Sequence, residues 1–384
     1  MPSVKIASRH PEATRAFVMA SLCTLLVTHL VGCQAGPATP PEVSPANRVD
    51  PALEENAARP EPEDVAPQEQ PPPPDRDDEE ERAAGEAESA ATPPAGESPR
   101  HLPNGEAILP CEEPPPGMVC IPGGPFVRGA DDDEHRCDQP SYNKKGQANT
   151  GPQAEVWLQT FYMDRTEVTV EAFKACIKAK KCDKAGPRYN DFSRPQQAIT
   201  GISWYDAENF CRVMGKALPT EAQWEKGARG TEAALFPWGD APADCERAVI
   251  MNAKGERSCG ITKSGNSPEK GRVLEVCSRP AGIYDLCDMA GNAEEWVADW
   301  YSHDYASCGE DCAGVDPLGP CQGAATCAGH RYKVVRGGSW YWPAAHATAI
   351  HRRSHVPSND PFHHFGFRCA ASAAAAKDLR EPQP

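Results

Sequence analysis

From Phe236 to His330 the chain carries glycine, proline, asparagine and aspartate too densely for long helices or strands, yet it also carries many of the chain's seventeen cysteines. A long irregular stretch inside a compact domain needs a source of order other than backbone ladders. Covalent staples, buried tryptophans and a calcium ion are the candidates the composition offers. Setting aside Cys23 and Cys33 leaves fifteen cysteines between Cys111 and Cys369, an odd number, so at least one pairs outside that set or stays free. Cys176/Cys182, Cys308/Cys312 and Cys321/Cys327 lie close enough in sequence to close short loops. Spacing leaves the remaining connectivity open, and no double Cys-x-x-Cys arrangement points to structural zinc. Such cysteine usage fits an oxidising compartment.

The N-terminal part supports that address. Residues 1–33 read as a lipoprotein signal peptide: Lys5, Arg9 and Arg15 precede an apolar run that ends in Leu30-Val31-Gly32-Cys33, a lipobox pattern. Cleavage before Cys33 would place a lipid on its sulfur and anchor the chain in the cell envelope, with Gln34 favouring the outer membrane and either a periplasmic or a surface orientation. Residues 34–107 form an acidic Pro/Ala/Glu-rich tether, exemplified by Asp77-Asp78-Glu79-Glu80-Glu81, with too little apolar surface to fold. That segment holds 18 acidic and 5 basic residues, so 5 − 18 = −13 of the chain's net −16 resides there. The charge argues against nucleic-acid binding and leaves the folded part, residues 108–373, near neutral. Residues 374–384 read as a flexible tail.

Within the folded part, Gly117–Gly129 alternates β-prone runs with Gly and Pro, predicting strand, turn, strand, and Phe161–Thr169 predicts another strand. Helical spacing follows over Val170–Lys178. Ser203 with Asp206, and Thr220 with Gln223, predict capped helix starts, and Gly215 and Gly230 predict the stops. The tryptophans are expected in the core, each indole N–H with an acceptor. No Gly-x-Ser-x-Gly elbow or lysine-bearing phosphate loop is present.

Four stretches, Leu218–Glu225, Asp288–Trp296, Val334–Trp340 and Gly366–Cys369, resemble the sulfatase-modifying factor family, whose founding activity is formylglycine generation. The resemblance spans about Gly117 to Ala370 and implies an α+β, C-type-lectin-like fold with little regular secondary structure, stapled by disulfides. It implies a Cys211–Cys369 disulfide. It also implies a calcium loop in which Asp288, the carbonyls of Gly291 and Ala293, and Glu295 donate oxygens, and a second site using Asn252 and the Ala253 carbonyl, whose later acidic ligand has no identifiable counterpart. Ser339 falls in the family's active-site turn. The family's oxidases bind copper through two cysteines after that turn, at positions occupied here by Trp342 and Ala347, and no cysteine lies between Cys327 and Cys369. No catalytic residue is therefore assigned, copper is not expected, and the domain is read as a non-catalytic module binding a peptide, a glycan or an envelope protein. The competing reading is a metal-dependent oxidase or maturase of exported proteins, either of formylglycine-generating type with other ligands or with a histidine-bound metal. In the second case the imidazole donors would be His346, His351 and His355, with His363 and His364 nearby in sequence.

Overall fold

The computed structural model describes residues 99–131, 149–264, 270–358 and 363–380. The signal, Cys33, the tether up to residue 98, and Cys137 lie outside the described residues. Among those described, three small sheets and a few short helices are embedded in long loops, the α+β architecture expected. In the first sheet β4 (Phe161–Asp164) runs antiparallel between β1 (Met118–Ile121) and β10 (Ala370–Ser372). In the second, β3 (Ala154–Leu158) pairs antiparallel with β2 (Gly124–Arg128) and parallel with the two-residue β6 (Gly314–Val315). The third has the order β8 (Arg352–His355), β7 (Lys333–Arg336), β5 (Glu294–Trp300), β9 (Phe365–Gly366).

Helix α1 spans Val170–Lys178, with Thr169 as N-cap and Val170, Phe173 and Cys176 buried. Helix α2 (Trp204–Val213) and helix α3 (Glu221–Arg229) both begin with reciprocal capping boxes, Ser203 with Asp206 and Thr220 with Gln223. Each box satisfies two amide donors that the first turn would otherwise leave open. The short helix α4 (Tyr305–Cys308) follows an Asp304 cap.

Seven disulfides take up fourteen of the cysteines between Cys111 and Cys369. The three short-loop pairs form as the spacing suggested, and Cys211–Cys369 joins α2 to the strand end before β10. That bridge lies in a core cluster with Phe173, Phe210, Trp296, Phe365 and Phe367. A second cluster packs Trp224 of α3 against β2, β3 and Val297 of β5.

Two expected boundaries are corrected. Residues 99–107 are part of the folded unit: His101 bridges Ala107, Leu102 donates to the Glu106 carbonyl, and Leu102 is buried. A single buried leucine suffices to recruit this turn although its flanks are polar. The expected flexible tail instead begins with helix α5 (Ala373–Arg380), which buries Ala373 and Ala376 beside Tyr162 and ties Arg380 to Glu112. A run of four alanines has high helix propensity and a face small enough to lie flat on β4.

The heaviest electrostatic load lies between α3 and the third sheet. Glu221, Glu225 and Arg229 share one face of α3 at a spacing of four. Arg336 of β7 reaches Glu225 at 2.7 Å and Glu221 at 3.1 Å, while Arg352 of β8 grips Glu221 with two bonds of 2.6 and 2.8 Å. Arg229 bonds Glu225 at 3.0 Å, and the Gly129 amide donates to the same carboxylate at 2.7 Å. Against the opposing effect of burial, Arg336 and Arg229 hold the Glu225 carboxyl below its ordinary value. Nearby, Asp299 accepts from the Glu221 amide at 2.7 Å, and burial together with the Glu221 charge pushes its carboxyl up to about 7.

Candidate functional site

The site is built on the turn that follows β7. Gly337 and Gly338 both take positive φ, 89° and 65°, and a Cβ on Gly338 would collide with the His346 carbonyl. This doubled-back turn buries Ser339 and Trp340 completely and turns Tyr341 and Trp342 toward the half-exposed rim. The Trp340 amide donates to the Asn292 carbonyl at 3.0 Å and the Gly291 amide to the Gly337 carbonyl at 2.8 Å, so this turn and the 288–295 loop are locked together.

Trp342 stacks on His346 at 5.1 Å between ring centroids, and His346 meets His351 edge-on at 4.8 Å. Arg353 lies over Trp342 and forms two 2.8 Å bonds to Glu294, whose other neighbour is His364 at 3.6 Å. Burial raises the Glu294 carboxyl against the pull of Arg353 and Trp342. Burial and Arg353 push the His346 imidazole down to about 4, and burial, His346 and Arg353 hold His351 well below the ordinary range. Both imidazoles are therefore neutral at pH 7. Neither ring nitrogen of His351, nor Nδ1 of His346, has a hydrogen-bond partner among the described residues. Beside Tyr341, on which the Arg257 guanidinium stacks at 3.6 Å, opens a cleft of about 510 Å³ lined by Met251, Glu256, Thr262 and Lys270.

Of the three histidines expected to share a metal, His346 and His351 adjoin, but His355 does not join them. It packs edge-on against Phe365 and Trp296, with Nδ1 near the Val356 carbonyl. Strand β8 starts just after His351 and advances about 3.3 Å per residue, so His355 at its far end lies roughly 13 Å further along the chain. Among the described residues no three His, Cys, Asp or Glu side chains converge as metal ligands. A thiolate copper site does not fit either: Trp342 and Ala347 offer no donor, and all described cysteines are in disulfides.

The loop expected to hold calcium is oxygen-rich but partly committed. Glu295 gives both oxygens to Arg368 at 2.7 Å each and also accepts from the Trp224 indole at 2.8 Å. Asp288, at φ 58°, accepts from the Cys277 amide at 2.6 Å. Glu167 faces the same space and was not singled out from sequence. It accepts from the Ala293 amide and the Asn292 side chain, each at 3.0 Å. No spacing rule links Glu167 to a loop more than a hundred residues later. Burial with the Asp288 and Glu295 charges raises Glu167 well above the carboxylate range, and burial raises Asp288 to about 6. The three carboxylates do not converge as a ligand triad, so a cation here would draw its remaining oxygens from backbone carbonyls such as those of Gly291 and Ala293. Gly291 allows the close approach this loop needs, since a Cβ there would strike the Val249 carbonyl. Asn252, expected at a second site, spends its side-chain oxygen on the Lys254 and Glu256 amides, closing a turn. That leaves little for a metal.

The neutral, buried imidazoles carry a pH consequence. A histidine whose folded pKa is depressed contributes stability above its unfolded value of about 6.5, lost as pH falls toward the folded value. Between pH 7 and pH 5 the His346 shift corresponds to about 1–2 kcal/mol. His346→Gln is expected to remove that share of the acid sensitivity, read as the change in urea midpoint between the two pH values. An unchanged pH dependence in the variant would show that His346 does not titrate this way.

A disulfide-stapled α+β domain with a glycine-framed aromatic turn and a buried acidic loop beside it defines the C-type-lectin-like class within which this chain falls. Residues 106–373 match the sulfatase-modifying factor enzyme 1-like domain, and the chain belongs to that family. The formylglycine-generating enzyme of Thermomonospora curvata is 28% identical over 309 residues, covering 66% of this chain and 93% of the relative. A serine/threonine-protein kinase, pkn1, of Chlamydia caviae is 30% identical over 277 residues; the match covers 66% of this chain but only 37% of the kinase. Among solved structures, PvdO from Pseudomonas aeruginosa superposes with a TM-score of 0.50 at 23% identity, covering 66% of this chain and 94% of PvdO, a likeness of fold.

Proposed function

We propose that this is an envelope-anchored member of the family that binds a peptide, glycan or envelope protein and does not oxidise cysteine. One observation carries this reading: no cysteine lies between Cys327 and Cys369, and where the resemblance puts the oxidases' copper ligands stand Trp342 and Ala347, with Trp342 stacked on His346 and His346 against His351. A copper(I) oxidase needs soft thiolates there to hold the metal and exchange with substrate. The half-exposed Tyr341 and Trp342, flanked by Arg257 and Arg353, supply instead the aromatic and guanidinium surface that recognition favours. In this reading the lipid on Cys33 and the acidic tether hold the domain at the membrane, and no nucleic acid is a partner.

The test is copper-loaded, oxidised protein incubated with a cysteine-containing sulfatase peptide beside an active family oxidase. Mass spectrometry should find the peptide's cysteine intact. Conversion to formylglycine would overturn the reading.

The orphan nitrogens of His346 and His351 favour one competing reading, a histidine-bound metal in an oxidase or maturase. Turnover that survives alkylation of free thiols in the oxidised protein and disappears in His351→Phe would select it.

A structural calcium ion at Asp288, with the Gly291 and Ala293 carbonyls, belongs to the same proposal; Glu295 would have to share its carboxylate with Arg368. Saturating calcium is expected to raise Tm by several degrees over a chelator-treated sample, as any ligand specific for the folded state does. Asp288→Ala, which removes the side-chain oxygen, should remove that increment. An increment of equal size in the variant would place the ion elsewhere.

A further inference from the structure

On the side of α1, a concave cleft of about 600 Å³ is lined by Lys174, Lys178, Lys184 and Arg188, over a floor that includes Ile177 and Pro187. The volume is that of an ordinary ligand pocket. Among the described residues no carboxylate lines it. Lys174, Lys178 and Lys184 are exposed, and none forms an ion pair among the described residues; Lys174 makes one long contact of 3.5 Å to the Ser193 carbonyl. The acids closest in sequence are spent or turned away: Glu171 takes a 2.8 Å bond from Gln196, and Asp183 is exposed outside the cleft. Residues 108–373 hold 29 basic and 34 acidic residues, 29 − 34 = −5, so the cluster is a local feature and runs against the net charge.

The frame beneath the lysines is rigid. Cys176 and Cys182 close the turn after α1, whose backbone is further pinned by the Lys180 amide on the Ile177 carbonyl and the Lys181 amide on the Cys176 carbonyl. Lys174 and Lys178 stand one turn apart on the same helix face. Stapling the turn removes ordering entropy that binding would otherwise have to supply.

The geometry points to this cleft as a binding site for an acidic polypeptide segment, a run of carboxylates with small apolar or proline residues between or beside them. This rests on the binding-module reading above and names the chemistry of one partner. A peptide fits because the cleft is concave with an apolar floor, which a flat lipid surface would leave unfilled. It also fits because three exposed lysines without an ion pair among the described residues call for several negative charges spaced along a chain. The sequence Pro71–Arg82 of this same chain, with Asp75 and the run Asp77–Glu81, has that chemistry and supplies a defined probe.

The experiment is fluorescence anisotropy of a labelled synthetic peptide of residues 71–82 with the full chain. A full chain carrying Asp77→Asn, Asp78→Asn, Glu79→Gln, Glu80→Gln and Glu81→Gln is measured alongside it, so that the chain's own run cannot mask the cleft. Saturable binding is expected in at least the second. It should weaken roughly tenfold in K178E/K184E and roughly tenfold between 50 and 300 mM salt, in line with screened charge recognition. A peptide with all its acids changed to amides should not bind. K178E/K184E alters only exposed side chains, and an unchanged Tm confirms its fold. Absence of binding to both chains, binding unchanged in K178E/K184E, or equal binding of the amide peptide overturns the assignment. So does lysine-dependent binding to vesicles containing anionic phospholipid without binding to the peptide, which would make the cleft a membrane contact. Formylglycine turnover would sink the function proposed above and leave this binding measurement standing.

Discussion

Arg352→Met is expected to destabilise the domain by about 3–5 kcal/mol, because it leaves Glu221 buried with part of its charge compensation gone. The Arg352 guanidinium makes two bonds to that carboxylate and one of 2.7 Å to the Asn149 carbonyl, and both side chains are almost wholly buried. In the low-dielectric interior an orphaned carboxylate must either stay charged without water or take up a proton, and both are unfavourable at pH 7. Arg336 still touches Glu221, but at 3.1 Å and while serving Glu225 as well, so it replaces only part of what is lost. For a domain of this size the loss corresponds to a fall in Tm on the order of 10 °C. The double variant Arg352→Met with Glu221→Gln should recover a large part of it, since removing both charges is far less damaging than removing one. A thermal melt of the three proteins decides the matter. A double variant no more stable than the single would mean that the arginine acts through packing against Tyr305, over which it lies at 4.1 Å, and not through charge.

Removing the Cys211–Cys369 disulfide by serine at both positions is expected to lower stability by about 4–5 kcal/mol, the largest loss for any of the seven bridges. The bridge joins residues 158 apart, whereas Cys176–Cys182 and Cys321–Cys327 each join residues 6 apart and Cys308–Cys312 residues 4 apart. Loop-closure entropy grows with the logarithm of loop length, which puts the short staples nearer 2 kcal/mol. The long bridge is also embedded among Phe173, Phe210 and Phe367, so two serine hydroxyls would be left in an apolar core. Chemical denaturation of the double-serine variants under oxidising conditions gives the ordering directly. Equal losses for the long and short bridges would show that the other disulfides already confine the unfolded chain enough to cancel the difference in loop length.

The two functional regions differ in how they bear on these predictions. The carboxylates around Asp288 and the imidazoles around His351 are connected through the bonds that join the 337–340 turn to the 291–292 backbone. Destabilising the α3 network should leave that local geometry intact until the domain unfolds as a whole. The cleft beside α1 stands on its own stapled turn and should be the least sensitive of the three.

What the amino-acid order determined by itself is local. Ser203 with Asp206 and Thr220 with Gln223 specify helix starts because their donors and acceptors lie within one turn, and the structure places both boxes as the spacing requires. The short cysteine pairs are legible for the same reason. The family motifs were readable as residues in order, and the Gly337-Gly338 turn among them needs only its own backbone conformation. Tertiary structure decided what joins distant segments: Arg368 to Glu295, Arg336 and Arg352 to Glu221 and Glu225, and Glu167 to Asp288. The ion pairs carry no sequence signal, since a buried charge can be met by any opposite charge the fold brings within reach, and the approach of the two like-charged carboxylates Glu167 and Asp288 is equally a product of the fold. The same reason separates His355 from His346 and His351. Five histidines within nineteen residues look like one cluster in sequence, but the direction of each side chain along β8 and the turns around it sends them into different surroundings.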